Sequence, residues 1–134
     1  MSSTDQAEVR GIIERWCAAI SAEDRSGILA QHAQDVLMFD FPNEVEGIGA
    51  YDRTWDFFFR DKKGPISFVP RDIRVTAGSD IAFASCLIHC DGTSAGPVDL
   101  RLTTGLSKVQ GGWLITHEHH SVPTEQDRLI DSES

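Results

Sequence analysis

The sequence predicts an α+β protein, with helices gathered in its first half and an antiparallel meander packed against them. Three observations predict it. Apolar residues recur at helical spacing in segments before residue 60. From residue 65 the period drops to two and stays there. Turn signals at Gly78-Ser79-Asp80, Asp91 to Pro97 and Gly111-Gly112 then divide the alternating region into four runs. Segregated helices and strands imply a bent sheet with helices on one face, an arrangement that encloses an apolar pocket.

The first helix is marked by Val9, Ile12, Ile13, Trp16 and Ile20, with Thr4 or Asp5 able to cap its start. A short second helix fits Asp24 to His32, with Ile28 and Leu29 facing inward. Val36 to Phe41 reads as a strand ended by Pro42-Asn43. Gly49 to Arg60 reads as a third helix, because Tyr51, Trp55, Phe58 and Phe59 share one face with Ile48. The four later strands are Ile66 to Thr76, Ile81 to Cys90, Val98 to Val109 and Trp113 to Val122. Pro70 within the first of them suggests an edge strand or a bulge. The tail, 124 to 134, is polar and expected to be loose.

The chain has 134 residues, enough for one domain with a real core, here 1–134 with the core at about 5–123. A formal charge of −9 argues against a nucleic-acid partner, which would need clustered Lys and Arg. No apolar run can span a bilayer, and the N-terminus lacks a signal-peptide core, so no membrane partner and a cytoplasmic location are expected. Cys17, Cys86 and Cys90 form no Cys-x-x-Cys pair and lie in apolar segments, as buried free thiols would.

The densest chemistry lies in His117-Glu118-His119-His120. Strict alternation puts Trp113, Ile115, His117, His119 and Ser121 on one face, and Leu114, Thr116, Glu118 and His120 on the other. The first face suits a pocket wall that turns polar at its mouth, so His117 and His119 become candidate proton carriers. The alternative is that these histidines satisfy core hydrogen bonds or line a subunit interface. A His-x-His pair could hold a metal with His89, Asp40 or Glu118, but the spacing matches no zinc-peptidase helix, and no metal is expected. Asp40, within Leu37-Met38-Phe39-Asp40-Phe41, is a candidate base because partial desolvation would raise its pKa. Its alternative role is to cap the Pro42-Asn43 turn. Arg101 and Thr103 alternate with Leu102 and Thr104; if their face lines the cavity, Arg101 could bind a substrate oxyanion, and otherwise it makes a surface ion pair.

The order of elements, with the closing run Arg101-Leu102-Thr103, Lys108, Gly112 to Ile115 and His117 to Pro123, resembles the SnoaL-like proteins of the nuclear-transport-factor-2-like (cystatin-like) superfamily. That superfamily includes ketosteroid isomerase, polyketide cyclases and scytalone dehydratase. The resemblance covers about residues 5 to 123 and implies a cone-like curved sheet backed by three N-terminal helices, paired as a homodimer. It places Asp40 of Phe39-Asp40-Phe41-Pro42 at the general-base position. Trp16 falls at the first-helix oxyanion position, and Thr103 or Thr104 at the late-strand one; neither is an acidic donor. The function implied is a cofactor-independent isomerase, cyclase or dehydratase acting by proton transfer on a hydrophobic or aromatic carbonyl compound. Asp40, His119 and His117 would move protons, while Trp16, Trp55, Phe59, Arg101 and Thr103 hold the substrate. The same fold also serves non-catalytic binders of apolar ligands and dimerisation modules.

Overall fold

The computed structural model describes residues 3–123. Helix α1 (Ser3–Ser21) buries Val9, Ile12, Ile13, Trp16 and Ile20, the stripe that three- and four-residue spacing creates. Thr4 and Asp5 lie within this helix and not ahead of it. Asp5 instead accepts hydrogen bonds from Lys108 Nζ (2.8 Å) and Trp113 Nε1 (3.1 Å), tying the first turn of α1 to the closing hairpin.

Helix α2 (Arg25–Leu29) begins at Asp24, whose carboxylate accepts from the Gly27 amide. It stops three residues before His32, because Gln31 adopts a left-handed φ of 57°. The chain therefore enters strand β1 (His32–Phe39) four residues earlier than alternation suggests, and His32 becomes a strand residue. Strand β2 (Glu44–Glu46) folds back on β1 across the Pro42-Asn43 turn. Three residues, two of them acidic, carry no strand signature, so it was not expected. Helix α3 (Ile48–Arg60) buries Tyr51 and Trp55 and half-buries Phe58 and Phe59.

Strands β3 (Lys62–Ala77), β4 (Ile81–Thr93), β5 (Val98–Val109) and β6 (Gly112–Ser121) form the meander. The curved, unclosed sheet has the order β2-β1-β6-β5-β4-β3. β3 is an edge strand, as one reading of Pro70 expects; Pro70 itself pairs in register with Ile88, and the slip lies beyond it, between Arg71 and Arg74. Gly92 marks a tight crossing: a Cβ there would stand 2.3 Å from the Pro65 carbonyl oxygen. One pairing departs from the antiparallel expectation. β1 lies parallel to β6, because α3 carries the chain away from β1 and the meander returns its last strand to β1's free edge. The core sits between the helices and the inner sheet face, and all three cysteines are buried in it as free thiols. Among the described residues, no helix is long and apolar enough to cross a membrane. The polar tail, 124 to 134, lies outside the described residues.

Candidate functional site: a buried carboxylate beneath an open chamber

The site is decided by one extra residue. Gly105 pairs with His117 and Leu106 pairs with Ile115, so Thr116 is unmatched and forms a β-bulge. Its hydroxyl donates to the Gly105 carbonyl at 3.2 Å. Each residue beyond the bulge faces opposite to what strict alternation predicts. Trp113, Ile115, Glu118 and His120 are buried together on the inner face, while His117 is half-buried and His119 is exposed. The expected grouping of His117 and His119 with Trp113 and Ile115 is thus corrected. The signal that could have shown it is Gly105, a lone glycine inside a strand, which often marks a bulge.

Glu118 is fully buried and accepts three hydrogen bonds. His120 Nε2 donates to Oε1 at 2.8 Å, and the Tyr51 hydroxyl donates to Oε2 at 2.7 Å. His32 Nε2 meets Oε2 at 2.5 Å. The other nitrogen of His32, Nδ1, is 2.9 Å from the Ala30 carbonyl, which can only accept. One proton therefore lies in the His32–Glu118 contact and offsets the carboxylate's charge. His32 stacks on Tyr51 with ring centroids 4.7 Å apart, and Trp16 Nε1 donates to the Tyr51 hydroxyl at 2.9 Å. Residues from α1, β1, α3 and β6 thus converge on one carboxylate.

Burial by itself would push the Glu118 carboxyl up. The hydrogen bonds and charges of His120 and His32 outweigh it and hold the group down at about 2. Burial, reinforced by the charge of Glu118, drives Tyr51 well above the usual phenol range, so it remains a donor. Because ionised Glu118 can only accept, neutral His120 must carry its proton on Nε2 and leave Nδ1 as a lone pair. His120 Nδ1 has no hydrogen-bond partner among the described residues.

The parallel register brings the end of β1, and with it Asp40, to the same chamber as this histidine. Met38 pairs with Glu118 and Phe39, the last residue of β1, with His119, so Asp40 leaves the strand at the level where β6 reaches His120. Both line a chamber of about 110 Å³, closed by Met38, Trp55, Phe58 and Phe68. It opens past Asp40, Phe41 and Phe58 into a vestibule of about 940 Å³. Asp40 Oδ1 accepts from the Asn43 amide at 3.1 Å, so the carboxylate holds the turn and lines the chamber at once.

Other candidates fall elsewhere. Arg101 and Thr103 are exposed on the outer sheet face, while Leu102 and Thr104 point inward. Asp99, beside them, bonds His89 at 3.0 Å. His117 and His119 flank Phe39 on that outer face, with centroids 5.2 and 5.7 Å from its ring. Trp16 commits its N–H to Tyr51, away from the chamber. Trp55 lines the chamber, whereas Phe59 packs behind it, under the Arg25 guanidinium. Among the described residues, no three His, Cys, Asp or Glu side chains are grouped to hold a metal ion.

Residues 9–125 match the SnoaL-like domain family. The chain belongs to that family. Solved structures agree on its fold. An NTF2-like protein of unknown function from Pseudomonas putida KT2440 shares 31% identity, with TM-score 0.86 over 96% of this chain and 93% of that one. An NTF2-like protein of Streptomyces avermitilis, provisionally assigned as a dehydratase, superposes with TM-score 0.80 at 15% identity, over 93% of this SnoaL-like chain and all (100%) of the other. A protein of Shewanella frigidimarina NCIMB 400, provisionally assigned as a ketosteroid isomerase, gives TM-score 0.71 at 21% identity over 83% and 92% of the two chains. No curated protein matches the SnoaL-like chain. The expected cystatin-like α+β fold is therefore confirmed, with a six-stranded curved sheet.

Proposed function

We propose that this SnoaL-like protein is a cofactor-independent acid–base enzyme acting on a small apolar or aromatic carbonyl compound. The observation that carries the reading is His120, anchored by a buried carboxylate beneath a chamber that Asp40 also lines. Two proton acceptors share one small space, and one is held by a hydrogen bond to a buried carboxylate. Asp40 takes a proton from the carbon next to the carbonyl, and the C–H electron pair moves to form an enolate. Asp40 passes that proton to the free Nδ1 of His120, and the imidazolium so formed, still bonded to Glu118, gives it to another carbon of the enolate in an isomerisation or to a leaving hydroxyl in a dehydration, which restores both groups. The provisional dehydratase and isomerase assignments of two structural neighbours are compatible with either outcome.

The test is exchange of α-hydrogens of aryl ketones in heavy water, followed by NMR. The protein should accelerate exchange over buffer. Asp40→Asn and His120→Ala should each slow it by about 100-fold or more, the usual contribution of a general acid or base. His117→Ala and His119→Ala should leave it unchanged. Full activity in both Asp40→Asn and His120→Ala would end the proposal.

A second reading concerns assembly. Val69, Ile81 and Phe83 are more than half exposed on the outer sheet face, and we propose that two copies pair there. Phe83→Glu should then lower the mass seen by sedimentation from dimer to monomer.

A further inference from the structure

We propose that His32 is a positioning residue for the acid–base step: its proton saturates Oε2 of Glu118, leaves Oε1 as the acceptor, and so fixes His120 with its N–H on the carboxylate and its lone pair free in the chamber. The proposal deepens the acid–base reading of this site and rests on it. His32 is a buried titratable group that does not line the chamber and that the proton path above does not touch. Its ring is nonetheless held on three sides. Nδ1 meets the Ala30 carbonyl at 2.9 Å, Nε2 meets Glu118 Oε2 at 2.5 Å, and one face stacks on Tyr51 with an interplanar angle of 29°. His32 and Ala30 flank the left-handed residue Gln31, so the turn that ends α2 also sets this ring.

Donor counts around Glu118 show what the ring does. The carboxylate receives Tyr51 and His32 on Oε2 and His120 on Oε1. Tyr51 brings a hydrogen bond but no charge. Thr104, the cross-strand neighbour, has a buried hydroxyl without a hydrogen-bond partner. Among the described residues, no lysine or arginine pairs with Glu118, so His32 is the one group outside the chamber that can offset its charge. Burial pushes the Glu118 carboxyl up, while His120 and His32 hold it down, His32 through both its hydrogen bond and its charge. Without His32 the carboxylate would take a proton from solvent, because an uncompensated charge in the core is the costlier state. The acceptor then within reach is His120 Nε2, across the Oε1 contact. A protonated Oε1 would donate there, and neutral His120 would carry its own proton on Nδ1. The nitrogen left to the chamber would then be a donor, unable to receive the proton from Asp40.

Protein labelled with ¹⁵N-histidine tests this by NMR, which reads the protonation of each ring nitrogen, at about pH 8.5, where an ordinary imidazole is neutral. The α-hydrogen exchange of aryl ketones is followed beside it. In the unsubstituted protein His120 should carry its proton on Nε2 and none on Nδ1. His32→Phe keeps a flat ring against Tyr51 but can donate nothing to Oε2. It should move the His120 proton to Nδ1 and slow exchange by about 100-fold, as loss of a general base does. His120 found with its proton on Nδ1 in the unsubstituted protein, or still on Nε2 in His32→Phe, would overturn the proposal. The first of these readings needs no variant, so it stands whether or not His32→Phe folds. A purely structural His32 would change the melting temperature and leave the tautomer as it was. The tautomer is read apart from turnover: a moved proton with unchanged exchange would remove the catalytic reading of His120 alone, and slowed exchange with an unmoved proton would remove this proposal alone.

Discussion

The two faces of β6 beyond its bulge carry the same kinds of side chain to opposite ends. His117 and His119 look outward, sharing Phe39 and solvent. Glu118 and His120 look inward and belong to a network that reaches α1, β1 and α3. An imidazole in water is free to change charge at little cost to the fold. An imidazole bonded to a buried carboxylate has its tautomer set by that partner, and the fold depends on the bond. Residue type therefore says little about function here, and the direction of the side chain says nearly everything.

The comparison breaks most completely if the bulge is removed. Inserting one residue between Gly105 and Leu106 would give Thr116 a partner and restore strict alternation, which would turn Glu118 and His120 to the surface and drive His117 and His119 into the core. Loss of cooperative unfolding in a thermal melt is expected. Next comes Glu118→Ala, which leaves His32, Tyr51 and His120 without their shared acceptor. Removing one partner of such a buried network costs about 3–5 kcal/mol, readable as a lower urea midpoint.

Acid sharpens the same contrast. The folded Glu118 carboxyl titrates at about 2, against 4.5 for an ordinary glutamate. Its contribution is therefore complete above pH 4.5 and fades as pH falls towards 2. At 1.36 kcal/mol for each pH unit it amounts to about 3 kcal/mol. The urea midpoint should drop steeply across that window, and Glu118→Gln should flatten the drop. Asp99 is also lowered, chiefly by its hydrogen bond from His89, but it stands in solvent, and Asp99→Asn should leave the acid limb unchanged. The smallest effects belong to the outer histidines: His119→Ala should alter stability by no more than about 0.5 kcal/mol.

Much of the fold was legible. The stripe Val9, Ile12, Ile13, Trp16 and Ile20 is buried as its spacing predicts, and β5 runs from Val98 to Val109 as alternation predicts. Periodicity is a local property, set by residues a few positions apart, so the chain itself carries it. The site was less legible. Asp40 was marked by its apolar neighbours, and it does line the chamber. Tyr51 registered only as part of a helix face, and His32 only as a helix end. Nothing near either residue shows that both meet a carboxylate 67 and 86 positions further on.

The sequence alone thus determined the order of elements, their buried stripes and the family resemblance of the closing hairpin. Tertiary structure decided which half of His117-Glu118-His119-His120 faces the core. That outcome depends on Thr116 slipping past Gly105 of the neighbouring strand. Register is a property of the pair of strands, and a one-residue slip reverses every side chain beyond it. The buried carboxylate likewise exists only once four separate elements have closed around it.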